Sequence, residues 1–155
     1  MSSDARVQDY MTPNPITIAP TATVEDAVKL MEDKSISGLP VVDDAGDLVG
    51  ILSEGDLLMR EAPMKPPLFM TLLGGVIYFE SPTKFHEHMK KSLGMLVSDL
   101  MTAKVVTTTP EATLDEVSER MLTKKVNRLP VVDADSKLVG IVTRHDLVRA
   151  LKSNL

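Results

Sequence analysis

The stretch Gly50-Ile51-Leu52-Ser53-Glu54-Gly55-Asp56 recurs later in the chain as Gly140-Ile141-Val142-Thr143-Arg144-His145-Asp146. In each copy an apolar strand ends at a small hydroxyl residue, and a carboxylate follows in the first turn of an apolar helix. The start of a helix leaves backbone N–H groups unpaired and carries partial positive charge, so it suits an anion such as phosphate. The hydroxyl can add a hydrogen bond to that anion. The ionised carboxylate only accepts hydrogen bonds, so it suits the neighbouring hydroxyl groups of a ribose.

The same spacing also has a purely structural interpretation. Ser53 with Asp56, and Thr143 with Asp146, approximate a capping box, in which the two side chains satisfy the unpaired N–H groups of the helix start. The spacing occurs twice more where we expect only a cap, in Thr23 with Asp26 and in Thr113 with Glu116. The spacing alone therefore leaves both interpretations open.

Composition excludes several functional classes. A net charge of -5 argues against a general nucleic-acid binder, because neutralising phosphates needs a basic surface. The absence of cysteine excludes disulfides, thiolate nucleophiles and cysteine-based metal sites, and it fits a reducing compartment. The first residues lack the features of a secretory signal. The apolar run from Leu68 to Phe79 is too short for a bilayer, which needs about 20 residues. We therefore expect a soluble, cytoplasmic protein with no membrane or nucleic-acid partner.

The chain contains an internal repeat. Residues 7–60 align with residues 97–150 without a gap, and about twenty aligned positions are identical. We predict a first motif in residues 1–60, an inserted linker in residues 61–96 and a second motif in residues 97–155. A unit of about 55 residues is marginal alone. The two motifs are therefore expected to pack face to face about a pseudo-twofold axis, which creates paired clefts.

Each motif predicts the same elements in the same order. A leader (residues 7–12 and 97–102) is followed by a brief strand or extended arm, which ends near Ile18 or Thr108. A helix then begins after a threonine cap, and two apolar strands joined by an acidic turn predict a hairpin. The final helix begins at Ser53 or Thr143. The apolar positions expected on the buried face of the first helix of each motif are Val24, Ala27, Val28 and Met31, and Leu114, Val117, Met121 and Leu122.

The insert predicts a covered apolar segment and a second amphipathic element. Ser81-Pro82 starts a helix with a favoured cap and first residue, and its apolar stripe is Phe85, Met89 and Leu93. We expect this insert to pack on the protein or at a dimer interface. His86 and His88 point apart on such a helix, so we expect surface histidines and no metal site.

Catalysis is not expected. The chain shows no nucleophile and base pair, no glycine-rich phosphate loop of the Walker type and no metal-ligand spacing. We therefore predict no catalytic residues and no catalytic cofactor.

Three motifs, each present twice in the same order, carry a family resemblance. They are the leader Val-x-Asp-x-Met-Thr, the strand Leu-Pro-Val-Val-Asp and the turn Gly-apolar-apolar-Ser/Thr-x-x-Asp. The chain resembles a tandem pair of cystathionine β-synthase (CBS) domains, the Bateman module. Only residues 61–96 depart from the pattern, because they are longer than the usual linker.

The resemblance implies an α/β fold, in which two β-α-β-β-α units form a pseudo-twofold pair, and it implies a homodimer. It also implies a regulatory role. Such a module binds AMP, ADP, ATP or S-adenosylmethionine in the clefts between paired motifs and acts on a regulated protein, which the sequence does not identify. The alternative is a structural dimerisation or partner-docking module without a ligand.

The resemblance also assigns roles to individual residues. Asp56 and Asp146 would bind ribose, and Ser53 and Thr143 would contact phosphate. The residues that would line the adenine and sugar are Thr17, Ile18, Ser37, Gly38, Leu39 and Pro40 in the first motif and Thr107, Thr108, Asn127, Arg128, Leu129 and Pro130 in the second.

The two predicted sites differ in charge. Arg144-His145 in the second turn stands where Glu54-Gly55 stands in the first, and Arg128 stands where the first motif has Gly38. Phosphate prefers a cationic site to one with an extra carboxylate. We therefore predict that the second motif dominates binding. His145 either adds positive charge to this turn when protonated or is a plain surface residue.

Overall fold

The computed structural model describes residues 4–59, 69–72, 75–78 and 95–153, which form an α/β fold. The first motif contains helix α1 (Val7–Tyr10), strand β1 (Thr12–Pro13), helix α2 (Val24–Lys34), strands β2 (Gly38–Val42) and β3 (Leu48–Ser53), and helix α3 (Glu54–Met59). Between the motifs lie strands β4 (Phe69–Leu72) and β5 (Gly75–Tyr78). The second motif contains helices α4 (Val97–Leu100) and α5 (Leu114–Lys124), strands β6 (Arg128–Val132) and β7 (Leu138–Thr143), and helix α6 (Arg144–Ser153).

The chain divides into two compact units, and each contains most of one motif with the leader of the other. The second-repeat unit comprises Met1–Thr17, Val42–Gly50 and Ala103–Leu155. The first-repeat unit comprises Ile18–Val41 and Ile51–Thr102. Self-alignment of the sequence carries no signal for this exchange of leaders, because both leaders have the same pattern.

Both predicted hairpins are present. Strand β2 pairs with β3, and β6 pairs antiparallel with β7 in a register that sets Arg128 opposite Thr143. Strand β1 of the first leader adds to the free edge of β7, where Thr12 lies opposite Ile141. The acidic turns close on a side chain of their own, since Asp43 Oδ1 accepts from the backbone N–H groups of Ala45 and Asp47.

The helices α2 and α5 begin at the predicted threonine caps. Thr23 Oγ1 accepts from the N–H of Asp26 at 3.1 Å, and Thr113 Oγ1 accepts from the N–H of Glu116 at 3.2 Å. The predicted faces are buried except at two positions, with Val24, Ala27, Met31, Leu114, Val117 and Met121 in the core. Val28 is only half-buried. Leu122 was predicted to be buried, but it is 69% exposed. Each residue turns a helix by about 100°, so Leu122 points away from the buried face on which Met121 lies.

The leaders fold into short helices, which the sequence motif did not predict. Val7 and Val97 are fully buried at the start of α1 and α4. The N–H of Val7 donates to the carbonyl of Ala112 at 2.9 Å, and the N–H of Val97 donates to the carbonyl of Ala22 at 2.8 Å. Each leader is therefore held by a buried valine and by backbone bonds to the opposite motif.

The predicted arms that follow the leaders are extended segments with isolated bridges. Ile18 bridges Val41, and Thr108 bridges Val131, both in parallel orientation. These contacts bring each arm beside the first strand of its own hairpin.

Part of the insert is a hairpin in which Phe69 on β4 lies opposite Tyr78 on β5. The predicted helix from Ser81-Pro82, with Phe85, His86, His88, Met89 and Leu93, lies outside the described residues. Among the helices that the structure describes, none has the length and apolar character needed to cross a membrane. Within the same residues no group of histidine and acidic side chains is arranged to hold a metal ion.

Candidate functional site

The second candidate site lies where β7 passes into α6. Thr143 is the last strand residue, and Asp146 lies in the first helical turn. Asp146 Oδ2 accepts from the backbone N–H of Thr143 at 2.8 Å and from its hydroxyl at 3.1 Å. The N–H of Asp146 points back to Thr143 Oγ1 at 3.4 Å. The capping-box arrangement is therefore formed, and it holds a carboxylate that is only 6% exposed.

Arg149 completes the surroundings of this carboxylate. Its Nη2 donates to Asp146 Oδ1 at 3.2 Å and to the backbone carbonyl of Tyr10 at 2.8 Å. A nearly buried charge is costly unless it is paired, and Arg149 supplies the opposite charge from a side chain that is itself 55% exposed. Arg149 was not among the site residues predicted from the sequence. Its position three residues after Asp146 on one helix face is the signal that points to it.

The first candidate site has the same cap, but the Oδ1 atom of its carboxylate has a different partner. Asp56 Oδ2 accepts from the N–H of Ser53 at 3.0 Å and from its hydroxyl at 3.2 Å. Asp56 Oδ1 accepts from the hydroxyl of Thr102 at 3.0 Å. Thr102 ends the second leader and belongs to the first-repeat unit with Asp56. Thr102 was also not among the residues predicted from the sequence. The sequence indicates it only weakly, because both leaders contain a threonine at this position and Thr102, but not Thr12, donates to a carboxylate.

Backbone hydrogen bonds join several of the other predicted residues of each motif to one another. In the second site the N–H of Arg144 donates to the carbonyl of Asn127 at 3.0 Å, and the N–H of Thr108 donates to the carbonyl of Pro130 at 3.0 Å. The first site has the corresponding bonds, from Glu54 to Ser37 at 3.1 Å and from Ile18 to Pro40 at 3.1 Å. Each unit therefore gathers the arm, the start of the hairpin and the helix start of one motif.

Not all the predicted residues can offer a side chain. Leu39, Pro40, Leu129 and Pro130 are buried, and both leucines are fully inside the core, so these positions can contribute only their backbone. Thr108 is 4% exposed and Thr107 is half-buried. Gly38 is the half-buried first residue of β2, and it has no side chain.

Thr17 directly precedes Ile18 in the chain, and it is exposed.

The charge difference between the sites is present at the two helix starts. Arg144 and His145 are exposed at the start of α6, and Arg128 is half-buried on β6 opposite Thr143. Glu54 and Gly55 are exposed at the start of α3. The second site therefore combines an oriented carboxylate and a hydroxyl with the exposed guanidinium of Arg144 and the half-buried Arg128. That combination can bind a diol and an anion in one ligand.

Comparison with protein families identifies both repeats. A model of the CBS domain matches residues 7–62 and residues 97–153. The chloroplastic CBS domain-containing protein CBSX2 of Arabidopsis thaliana is 35% identical to this chain, with 93% of this chain and 62% of that protein covered. The chain thus spans less than two thirds of CBSX2. The uncharacterized protein MJ1426 of Methanocaldococcus jannaschii is also 35% identical, with 94% of this chain and 90% of that protein covered.

Solved structures support the same assignment. The crystal structure of CBSX2 in complex with AMP matches with a TM-score of 0.72 at 34% identity and covers 97% of this chain and 98% of that one. The predicted tandem CBS pair and its α/β fold are therefore confirmed.

The relatives also include an enzyme, and its match is limited. Inosine-5'-monophosphate dehydrogenase of Methanocaldococcus jannaschii is 33% identical over 88% of this chain, which corresponds to 22% of that enzyme. The similarity is confined to a small part of the dehydrogenase, so its activity is not carried over to this chain.

Proposed function

This chain belongs to the CBS domain family, and on that premise we propose that it is a regulatory module that binds an adenine nucleotide. The observation that carries the proposal is the carboxylate at a helix start, built twice with the same bonds to a preceding hydroxyl residue. The similarity to CBSX2, whose crystal structure contains AMP, supports an adenine ligand. AMP is therefore the first ligand to test, before ADP, ATP and S-adenosylmethionine.

In the second site we assign the ribose hydroxyls to Asp146 and the phosphate to Thr143. Arg144 and Arg128 supply positive charge around the phosphate, and His145 adds to it when protonated. In the first site Asp56 and Ser53 take the corresponding roles, with Glu54 as an unfavourable neighbour for phosphate. The second site therefore binds a nucleoside phosphate more tightly than the first, because like charges repel and opposite charges attract.

The capping box is compatible with ligand binding. The hydroxyl of Thr143 now donates to Asp146 Oδ2. When this hydroxyl turns to a phosphate oxygen, it releases one acceptor position of the carboxylate for a ribose hydroxyl, while the backbone bond of Thr143 keeps Asp146 in place. The cap therefore holds the site ready in the absence of ligand and exchanges one bond when the nucleotide arrives.

Titration calorimetry with AMP tests the proposal on the wild type and on Asp146→Asn and Asp56→Asn. Losing a charged hydrogen-bond partner costs about 1.5–3 kcal/mol, or roughly tenfold to a hundredfold in affinity. We expect this loss for Asp146→Asn and a smaller one for Asp56→Asn. Circular dichroism of each variant shows whether the helix start has survived the change. A larger loss from Asp56→Asn contradicts the ranking of the two sites.

A structural dimerisation module is the second candidate. It is favoured by apolar side chains left exposed on helices α5 and α6, namely Leu122 at 69%, Val148 at 61% and Leu151 at 48%. Binding stabilises the folded state by mass action, by about 2.7 kcal/mol when ligand is at a hundred times its dissociation constant. If no adenine compound raises the melting temperature at millimolar concentration, the structural role remains and the sensor is rejected. Native mass spectrometry then reports the expected homodimer and any retained small molecule.

The nucleotide-binding parts of the chain and the regulated protein belong to the same proposal. The motifs in residues 1–60 and 97–155 bind the nucleotide. The response is passed to a regulated protein in the cytoplasm.

A further inference from the structure

Arg149 joins the candidate ribose carboxylate to the first leader. One guanidinium nitrogen contacts both Asp146 Oδ1, at 3.2 Å, and the carbonyl of Tyr10, at 2.8 Å. Tyr10 is the last residue of helix α1, and it lies in the second-repeat unit with Asp146 and Arg149. A side chain of the second motif therefore links its own binding carboxylate to the leader of the first motif.

The contact with the leader has a clear physical basis. The last carbonyl groups of a helix have no partner within the helix, and they carry partial negative charge. Helix α1 is only four residues long, so its end depends on outside donors. A guanidinium at 2.8 Å satisfies the Tyr10 carbonyl and opposes the negative end of the helix.

The contact with Asp146 limits how this carboxylate can meet a ligand. A carboxylate offers about four acceptor positions, and Asp146 uses three of them, two for Thr143 and one for Arg149. A ribose diol brings two donors. If the Thr143 hydroxyl turns to phosphate, both donors are accepted while Arg149 stays bound. Arg149 can therefore fix the orientation of the carboxylate in the free and in the bound protein.

We infer that Arg149 is a positioning residue that couples nucleotide binding at the second site to the order of the first leader. This inference rests on the proposed function, because it concerns the same carboxylate. The side chain of Arg149 is 55% exposed, and these two contacts hold its guanidinium end. A ribose that fixes Asp146 also restricts Arg149, and this strengthens the hold on Tyr10. Coupling between sites is reciprocal, so a leader held in place also strengthens nucleotide binding.

A purely structural ion pair makes a different prediction. If Arg149 only stabilises the fold, its removal loosens the leader by the same amount with and without AMP, and the affinity for AMP stays the same. The coupling requires both an affinity change and a change in leader protection that depends on AMP.

The test compares Arg149→Met with the wild type. Methionine is the residue at the equivalent position 59 of the first motif, so the variant copies the neighbouring repeat. Two measurements are made on the full chain: AMP affinity by calorimetry, and hydrogen exchange with and without AMP of the backbone amides in residues 10–14, where Pro13 has none. Lys152→Met removes one exposed positive charge from the same helix and serves as the control. Arg149→Lys keeps the charge but lacks the planar fork.

In the wild type we expect AMP to slow exchange in residues 10–14. Arg149→Met lowers AMP affinity about fivefold to tenfold, within the usual range of couplings, and removes the AMP-dependent protection. Lys152→Met leaves both unchanged, and Arg149→Lys retains part of both. If Arg149→Met fails to fold, Arg149→Lys decides the matter by its loss of AMP-dependent protection.

Two results contradict the inference in distinguishable ways. If Arg149→Met binds AMP as the wild type does, or keeps the AMP-dependent protection, the coupling is wrong and nucleotide binding stands. If the wild-type protein binds none of AMP, ADP, ATP and S-adenosylmethionine, the proposed function and the coupling are both rejected, and this is seen before any variant is made.

Discussion

The two carboxylates of this duplicated protein are held alike on one oxygen and differently on the other. Oδ2 of Asp56 and of Asp146 accepts the same pair of bonds from the preceding hydroxyl residue. Oδ1 accepts from the neutral hydroxyl of Thr102 in the first site and from the cationic Arg149 in the second. Both repeats therefore have the same cap at the start of the helix, and they differ in the residue that contacts the second carboxylate oxygen.

Both of these contacts lead to the leader of the other motif. Thr102 is itself the end of the second leader, whereas Arg149 reaches the first leader through the carbonyl of Tyr10. Thr102 donates from a neutral hydroxyl group, whereas Arg149 donates from a charged guanidinium group.

The largest expected effect comes from crowding the first leader against β7. A Cβ added at Gly140 would lie 2.5 Å from Met11 Sδ and 3.1 Å from the carbonyl oxygen of Thr12. Gly140→Ala must therefore move the Met11 side chain and shift the Thr12 backbone by a few tenths of an ångström. Overpacking of this kind costs about 1–3 kcal/mol. We expect the midpoint of urea unfolding to fall by a corresponding amount. AMP affinity should fall as well, since Met11 follows the residue that Arg149 holds.

The control for this change is Gly55→Ala in the first site. A Cβ at Gly55 meets only Ser53 Oγ, at 3.5 Å, which is ordinary contact. Alanine is also the better helix former by about 0.5–1 kcal/mol, so this variant should be as stable as the wild type or more stable. If Gly140→Ala unfolds at the same urea concentration as Gly55→Ala, the leader does not depend on close packing against β7.

The sequence predicted those parts of the fold that depend on local pattern. Thr23 and Thr113 begin helices, and Leu39-Pro40-Val41-Val42 is the first strand of a hairpin, because caps and apolar runs act over a few neighbouring residues. The pair Ser53 and Asp56 was found for the same reason. Leu122 was misassigned because an apolar residue beside a buried stripe looks the same in sequence whichever way it faces.

Contacts between distant residues could not be predicted in this way. The bonds from Thr102 to Asp56 and from Arg149 to Tyr10 depend on which leader packs on which motif. The two leaders share one pattern, so a single sequence gives no preference between the two arrangements. The short helices of the leaders were missed because four residues are too few for a periodic signal.

Equivalent threonines give a smaller and more specific test of the contact between Thr102 and Asp56. Thr102 donates to Asp56, whereas its counterpart Thr12 is an exposed residue of β1. Removing the hydroxyl with Thr102→Val deletes one hydrogen bond and should cost about 0.5–1.5 kcal/mol. The same substitution at Thr12 should change stability by less than about 0.5 kcal/mol, as surface changes usually do. Urea unfolding of both variants measures the difference, and equal losses would mean that the bond to Asp56 contributes nothing specific.

The smallest expected effect concerns the acidic turns, which also differ at equivalent positions. Lys137 in the second turn donates to the carboxylate of Asp47 and to the carbonyl of Ala45 in the first. The hydrogen bond to Asp47 raises the pKa of Lys137 above its ordinary value. Because the folded pKa is the higher one, the contribution to stability is complete below the unfolded pKa of about 10.4 and is lost as pH rises through the folded pKa.

Lys137→Met should therefore lower the unfolding midpoint slightly from pH 7 to pH 9, and the difference from the wild type should disappear at higher pH. Both side chains are largely exposed, at 43% and 53%, so the effect should also shrink as salt is added. Exchange of the two residues, Asp47→Lys with Lys137→Asp, should restore most of the loss, because the pair then has the same charges in the opposite order. If the exchanged variant is less stable than Lys137→Met alone, the hydrogen bond from Lys137 to the Ala45 carbonyl joins the two turns, and the ion pair with Asp47 does not.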